Sequence, residues 1–201
     1  VFDLSLAQVL VRIVAFIVLT GVHGVLIAGL ARLLGDRGPA YDGRLTPNPF
    51  THLDIIGLVA AVVTRTGWIR PLSVDPAQLK GGRFGLLAIV LLALLLTIGF
   101  GAIALGLRTP TLQIMPLTYA NYVLLVLNAI AEMSVWFALF NLIPLPPLTG
   151  GLILLAIAPW VHAVVLRHAM WVGLGLAAIM LLTRGAFLQP FAQPIIAFLL
   201  R

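Results

Sequence analysis

The chain predicts an all-α, polytopic integral membrane protein with about four to six membrane helices. Of its 201 residues, 62% are hydrophobic and only 9% are charged. The mean hydropathy is +1.15. A soluble domain of this composition could not cover itself with polar surface, whereas lipid covers such a surface directly. The third observation is local: Phe84 to Leu107 carries no charge, and Tyr119 to Ile143 carries only Glu132. At roughly 1.5 Å per residue each run crosses about 30 Å of hydrocarbon as a helix.

Taken in order, Leu4 to Leu34 is the first span. Arg12 and Arg32 lie towards its ends, where long side chains carry their charges to the headgroups. The run is too long and its tail too polar for a cleaved signal peptide. Leu53 to Val63 is too short to cross, and Asp54 and Arg65 bracket it, so it reads as a re-entrant or interfacial piece packed on protein. Phe84 to Leu107 and Tyr119 to Ile143 are full spans. Gly151 to Leu166 and Ala169 to Leu182 flank Arg167-His168, and Pro159-Trp160 interrupts the first, which predicts a bent or tilted pair. Phe191 to Leu200 is short and fits an interface.

Arg32, Arg37, Arg44, Arg65, Arg70, Lys80 and Arg83 are seven of the twelve basic residues, and all lie near or within the two connections before Phe84. The positive-inside tendency puts loops 35–52 and 64–83 in the cytoplasm. The formal charge of +6 follows from these juxtamembrane residues, which face acidic headgroups; they form no nucleic-acid-binding patch. With no Cys, thiolate, disulfide and iron-sulfur chemistry are excluded. Four His remain. A hydrolytic zinc site takes three protein ligands and an open water position, and two ligands come from one helix face at a spacing of four. From His23 that spacing leads to Ile27, and the next residue, where a general base belongs, is Gly24.

Three stretches, His23 to Asp36, Gly43 to Gly57 and Asn141 to Gly151, resemble the site-2 protease family of intramembrane zinc metalloproteases (peptidase M50-like). The likeness is to small bacterial members without an inserted periplasmic domain. Gly67 to Leu72 with Asp75-Pro76 resembles their linking segment, and the likeness runs over roughly residues 15 to 158 in the right order. It implies a site-2-protease-like transmembrane core over 1–158, including loops 35–52 and 64–83, followed by additional membrane or interfacial helices over 159–201. The family carries His-Glu-x-x-His on the first core helix and an Asp in Leu-Asp-Gly on the last. Matched position by position, His23 keeps the first ligand, Gly24 replaces the base, Ile27 the second ligand and Thr149 the third. The family's small, Asn-bearing motif in the middle helix is replaced by the aliphatic run Ala88 to Leu96. The resemblance therefore implies relic positions at His23, Gly24, Ile27 and Thr149, with no catalytic residue, no metal and no cofactor.

The remaining residues have structural readings. Asn141, Pro144, Pro146 and Pro147 end a helix, and Asn48 belongs to a rigid Thr46 to Pro49 loop that His52 and Asp54 tie down by hydrogen bonds. Thr149 satisfies a freed carbonyl in its own turn. Glu132 needs a partner inside a span, and Asn128, four residues before it, shares its face and makes an intramembrane polar contact. The expected function is a noncatalytic pseudoprotease subunit or scaffold, not an enzyme, that packs against other integral membrane subunits in lipid. The expected location is the bacterial inner (cytoplasmic) membrane, and nucleic acid is no partner. One alternative is a divergent intramembrane zinc metalloprotease using His23 with His52 or Asp54 and with Glu132 as base. The other is a membrane transport component.

Overall fold

The computed structural model describes residues 4–199, so residues 1–3 and 200–201, at the ends of the expected core and of the last apolar run, lie outside the described residues. Three long helices form the centre: α1 (Leu6–Leu34), α5 (Gly82–Gly106) and α7 (Leu117–Asn141). Ser5 starts α1 through a capping box with Gln8, and Gly35 stops it in the left-handed conformation. The helices pack on small residues, with Ala15, Ala28, Ala31, Ala93, Ala104, Ala131 and Ala138 all buried, because close backbone approach replaces the hydrophobic drive that lipid removes. Leu91, Leu92, Leu95, Leu96 and Ile103 point outward from α5. Three helices among the described residues are long and apolar enough to cross a membrane, or four if α9 (Pro159–Leu166) and α10 (Ala169–Thr183), bent by 84°, count as one span. That meets the lower edge of the expected four to six, because Pro159 and the break at Arg167-His168 divide the C-terminal run into α8 (Gly151–Ile157), α9 and α10. The connection after α5 is itself helical, α6 (Arg108–Ile114), and α11 (Gln189–Leu199) closes the chain.

Between α1 and α5 the chain makes α2 (Gly38–Tyr41), α3 (Pro49–His52) and a re-entrant hairpin. Asp54 caps α4 (Ile55–Thr64) by accepting from the Gly57 amide at 2.8 Å. Arg65, in the left-handed conformation, turns the chain back, and an extended segment returns alongside the helix. Leu53 pairs with Ile69, and Arg70 N donates to His52 O at 2.7 Å. A Cβ on Gly57 would lie 2.1 Å from Trp68 O, so only glycine lets α4 meet its returning strand there. Arg12 donates to Val62 O at 2.5 Å, whereas Lys80 N donates to Leu34 O at 2.7 Å. Arg12 and Leu34 are separated by about 33 Å of helix at 1.5 Å per residue. The placement of all of loop 64–83 on one side with loop 35–52 is therefore corrected. Arg65 lies at the far end of α1, because ten helical residues carry the chain back up the bundle before it returns to Lys80.

Candidate functional site

His23 lies eleven residues before the end of α1 and is fully buried. Its ring stands edge-on to Phe137, with centroids 4.8 Å apart. Both ring nitrogens are engaged by hydroxyls: Nδ1 is 2.8 Å from Thr97 Oγ1 on α5, and Nε2 is 2.9 Å from Thr149 Oγ1. Thr97 donates its single proton to Ala93 O at 2.7 Å, so towards His23 it is an acceptor and Nδ1 carries the imidazole proton. Nε2 is then the lone pair, and Thr149 donates to it. This corrects the expectation that Thr149 serves a carbonyl of its own turn: its hydroxyl is spent across 126 residues on His23. Thr97 directly follows the aliphatic run Ala88 to Leu96, outside the stretch that the family motif aligns. Its signal was available, since it is the only polar side chain between Phe84 and Leu107.

Asn141 does more than end α7. Fully buried, it donates through Nδ2 to Gly67 O at 2.7 Å and Phe137 O at 3.0 Å, and its Oδ1 accepts from Thr149 N at 3.2 Å. Gly150 N donates to Asn141 O at 2.7 Å. One side chain thus ties the end of α7, the returning strand of the hairpin and the Thr149 loop together. Pro146, Pro147, Ile27 and Thr149 line a cavity of about 200 Å³ whose wall is otherwise mostly apolar, with Ile69, Leu72, Val74, Leu152 and Leu155 beside the polar Ser73 and His162. Pro144 stays exposed.

Gly24 faces a third element. A Cβ at this position would lie 2.1 Å from His52 Nδ1 and 2.3 Å from its Cγ, so the absence of a side chain at 24 makes room for the imidazole of His52. Asn48 caps α3 by accepting from Phe50 N at 3.1 Å, and His52 Nε2 donates to Thr46 O at 3.0 Å. Nδ1 is consequently an acceptor, buried and without a hydrogen-bond partner. Burial, with a smaller contribution from the Arg44 guanidinium, holds His52 below the ordinary histidine value.

Asp54 is occupied in capping α4. Glu132 forms an ion pair with Arg65, which corrects its pairing with Asn128. The left-handed turn at Arg65 brings the guanidinium to α7, while Asn128 Oδ1 is left buried and unpaired. Arg65 also lines a polar cavity of about 560 Å³ with Arg12, Arg184, Gln189 and Gln193.

These donors do not fit a hydrolytic zinc ion, which takes three protein ligands with lone pairs turned inward. Among the described residues no three of His, Cys, Asp or Glu are grouped to hold a metal. Around His23 the neighbouring donors are two threonine hydroxyls, position 27 is hydrocarbon, and His52 offers one free nitrogen.

No protein-family model matches the chain, and no solved structure matches it. It is 29% identical over 178 residues to "Putative zinc metalloprotease YwhC" of Bacillus subtilis (strain 168), a match covering 79% of this chain and 73% of that protein. The similarity supports a site-2-protease-like relationship. It also overturns the expectation that the chain is not an enzyme, since the relative is named for proteolysis. The replaced ligands at positions 24, 27 and 149 bear on zinc chemistry alone.

Proposed function

We propose that this chain is a divergent intramembrane peptide hydrolase of the site-2 type, acting on polypeptide within the bilayer at the cavity walled by Ile27 and Thr149. The observation that carries the reading is convergence. Ile27 and Thr149, from chain segments more than a hundred residues apart, line one cavity, and His23, one helical turn before Ile27 on α1, meets the Thr149 hydroxyl behind it. The similarity to a protein named as a zinc metalloprotease supports the same class. His23 lies about 16 Å of helix from the Leu34 end, near half the thickness of the hydrocarbon. An apolar lining at that depth suits a membrane segment of a substrate better than a soluble peptide. The chain supplies a neutral imidazole, with its Nε2 lone pair aimed towards the cavity side, as the proton acceptor. The Leu34 end, with Arg32, Arg37, Arg44, Lys80 and Arg83 around it, faces the cytoplasm of a bacterial inner membrane.

The test is cleavage in proteoliposomes. Purified protein is reconstituted with a panel of single-span reporter proteins, and the products are mapped by mass spectrometry. Cuts inside the apolar segment, lost in His23→Ala, are expected. Absence of cleavage across the panel by a folded protein overturns the proposal.

A further inference from the structure

We infer that Thr149 is the nucleophile of this site, an acyl-accepting hydroxyl whose proton is taken by His23 while Thr97 fixes the imidazole. This rests on the peptide-hydrolase reading and replaces a metal-activated water with a side chain of the protein.

The groups are ordered from the cavity inward. Thr149 lines the cavity. Behind it stand His23 Nε2 at 2.9 Å and, across the ring, Thr97 Oγ1 at 2.8 Å from Nδ1, itself pinned to Ala93 O at 2.7 Å. This is the sequence of nucleophile, base and orienting group that activates a hydroxyl. Because Thr97 has one proton and spends it on Ala93 O, the tautomer is fixed with the lone pair on Nε2. The Thr149 loop is held by Asn141 through both the Thr149 and Gly150 amides, so the end of α7 fixes the position of the hydroxyl together with its own turn. Ser73 and His162 are the other polar side chains lining the cavity.

In the reaction the Thr149 Oγ1–C bond forms at the substrate's peptide carbonyl as the hydroxyl proton passes to His23 Nε2. The C–N bond then breaks, and the departing amine takes that proton. The resulting ester at Thr149 is attacked by water, whose proton goes to Nε2 and then to Thr149 Oγ1 as the ester bond breaks. The net change is one peptide bond and one water converted to a carboxylic acid and an amine.

The test uses the full chain in detergent micelles with an alkyl fluorophosphonate, which a nucleophilic hydroxyl attacks with loss of fluoride. Expected is one phosphonyl adduct per chain on the peptide containing Thr149, insensitive to zinc chelators. Thr149→Ser retains it, and the isosteric Thr149→Val abolishes it. Thr97→Val, which removes a positioning residue, slows labelling by about 10²-fold and changes its pH profile. No adduct at Thr149 in folded protein overturns the inference. Peptide cleavage that survives in Thr149→Val but is lost in His23→Ala also overturns it while leaving the hydrolase reading intact. An adduct at Thr149 with no peptide cleavage supports the nucleophile and overturns the peptide substrate.

Discussion

The contact between Gly24 and His52 gives the most exacting test of the packing described above. Gly24→Ala places a methyl group 2.1 Å from His52 Nδ1, 2.3 Å from Cγ and 2.6 Å from Cε1. All three atoms belong to a rigid, fully buried ring, so the ring as a whole must move. Overpacking of a core costs about 1 to 3 kcal/mol, and displacing the ring breaks the Nε2 bond to Thr46 O, worth about another 1 kcal/mol. The expected loss is therefore roughly 2 to 4 kcal/mol. His52→Ala is destabilising by itself, since it leaves a void and the Thr46 carbonyl unpaired, but in that background the methyl of Gly24→Ala enters empty space. The double variant should be more stable than the sum of the singles by at least about 1.5 kcal/mol. Reversible unfolding in mixed micelles, with all four proteins in one lipid and detergent composition, measures the cycle. Additive costs, or a Gly24→Ala protein as stable as the parent, would refute the contact. The same geometry means that Gly24→Glu with Ile27→His and Thr149→Asp recreates the family's ligand set only if His52 is also removed.

Asn141→Leu keeps the volume but leaves Gly67 O and Thr149 N unpaired in the interior; at about 1 to 3 kcal/mol for each such group, a loss of roughly 2 to 6 kcal/mol is expected in the same unfolding assay, with faster proteolytic nicking between residues 142 and 150. His52 has a folded-state pKa below its ordinary 6.5, so the unfolded chain takes up the proton first as pH falls. Stability from this group is complete above about pH 6.5 and is lost below it; His52→Gln should flatten the acid side of a melting-temperature profile, and an unchanged profile contradicts the assignment. Glu132→Gln breaks the ion pair with Arg65, whose side chains are 44% and 39% exposed for Arg65 and Glu132 beside a polar cavity. The expected cost is under about 1 kcal/mol and falls with added salt; a loss above 3 kcal/mol would mean the pair is sealed from water.

The parts of the fold legible in the sequence were those with local causes. Runs of membrane length with at most one charge mark α5 and α7, and the shortness of Leu53 to Val63 with Asp54 and Arg65 at its ends marks a re-entrant piece, since cap and terminator are written within one stretch of chain. Pro159 announced the break before α9 for the same reason. What stayed hidden were pairings set by three-dimensional register. Nothing near Thr97 indicates that it faces His23, 74 residues earlier, and nothing near Glu132 points to Arg65 rather than Asn128. The candidate site shows the same division: resemblance aligned His23, Ile27 and Thr149, but the direction of the proton in their hydrogen bonds depends on Ala93 and Thr97, on a helix that the motif does not include.

The hairpin that ends at Arg65 also constrains how the chain is assembled. Its returning strand is irregular backbone at membrane depth, tolerated only when protein supplies its hydrogen bonds. Gly67 O receives its bond from Asn141, and a Cβ on Gly173 of α10 would lie 3.0 Å from the Trp68 ring. Both partners are synthesised long after the hairpin itself. The pairing of Leu53 with Ile69 and of Arg70 with His52 is local to residues 52–70, but the bond to Gly67 O is completed only once Asn141 is made. The contact of His52 with Gly24 needs only α1, which precedes it in the chain, whereas the returning strand gains its last partners only with α7 and α10.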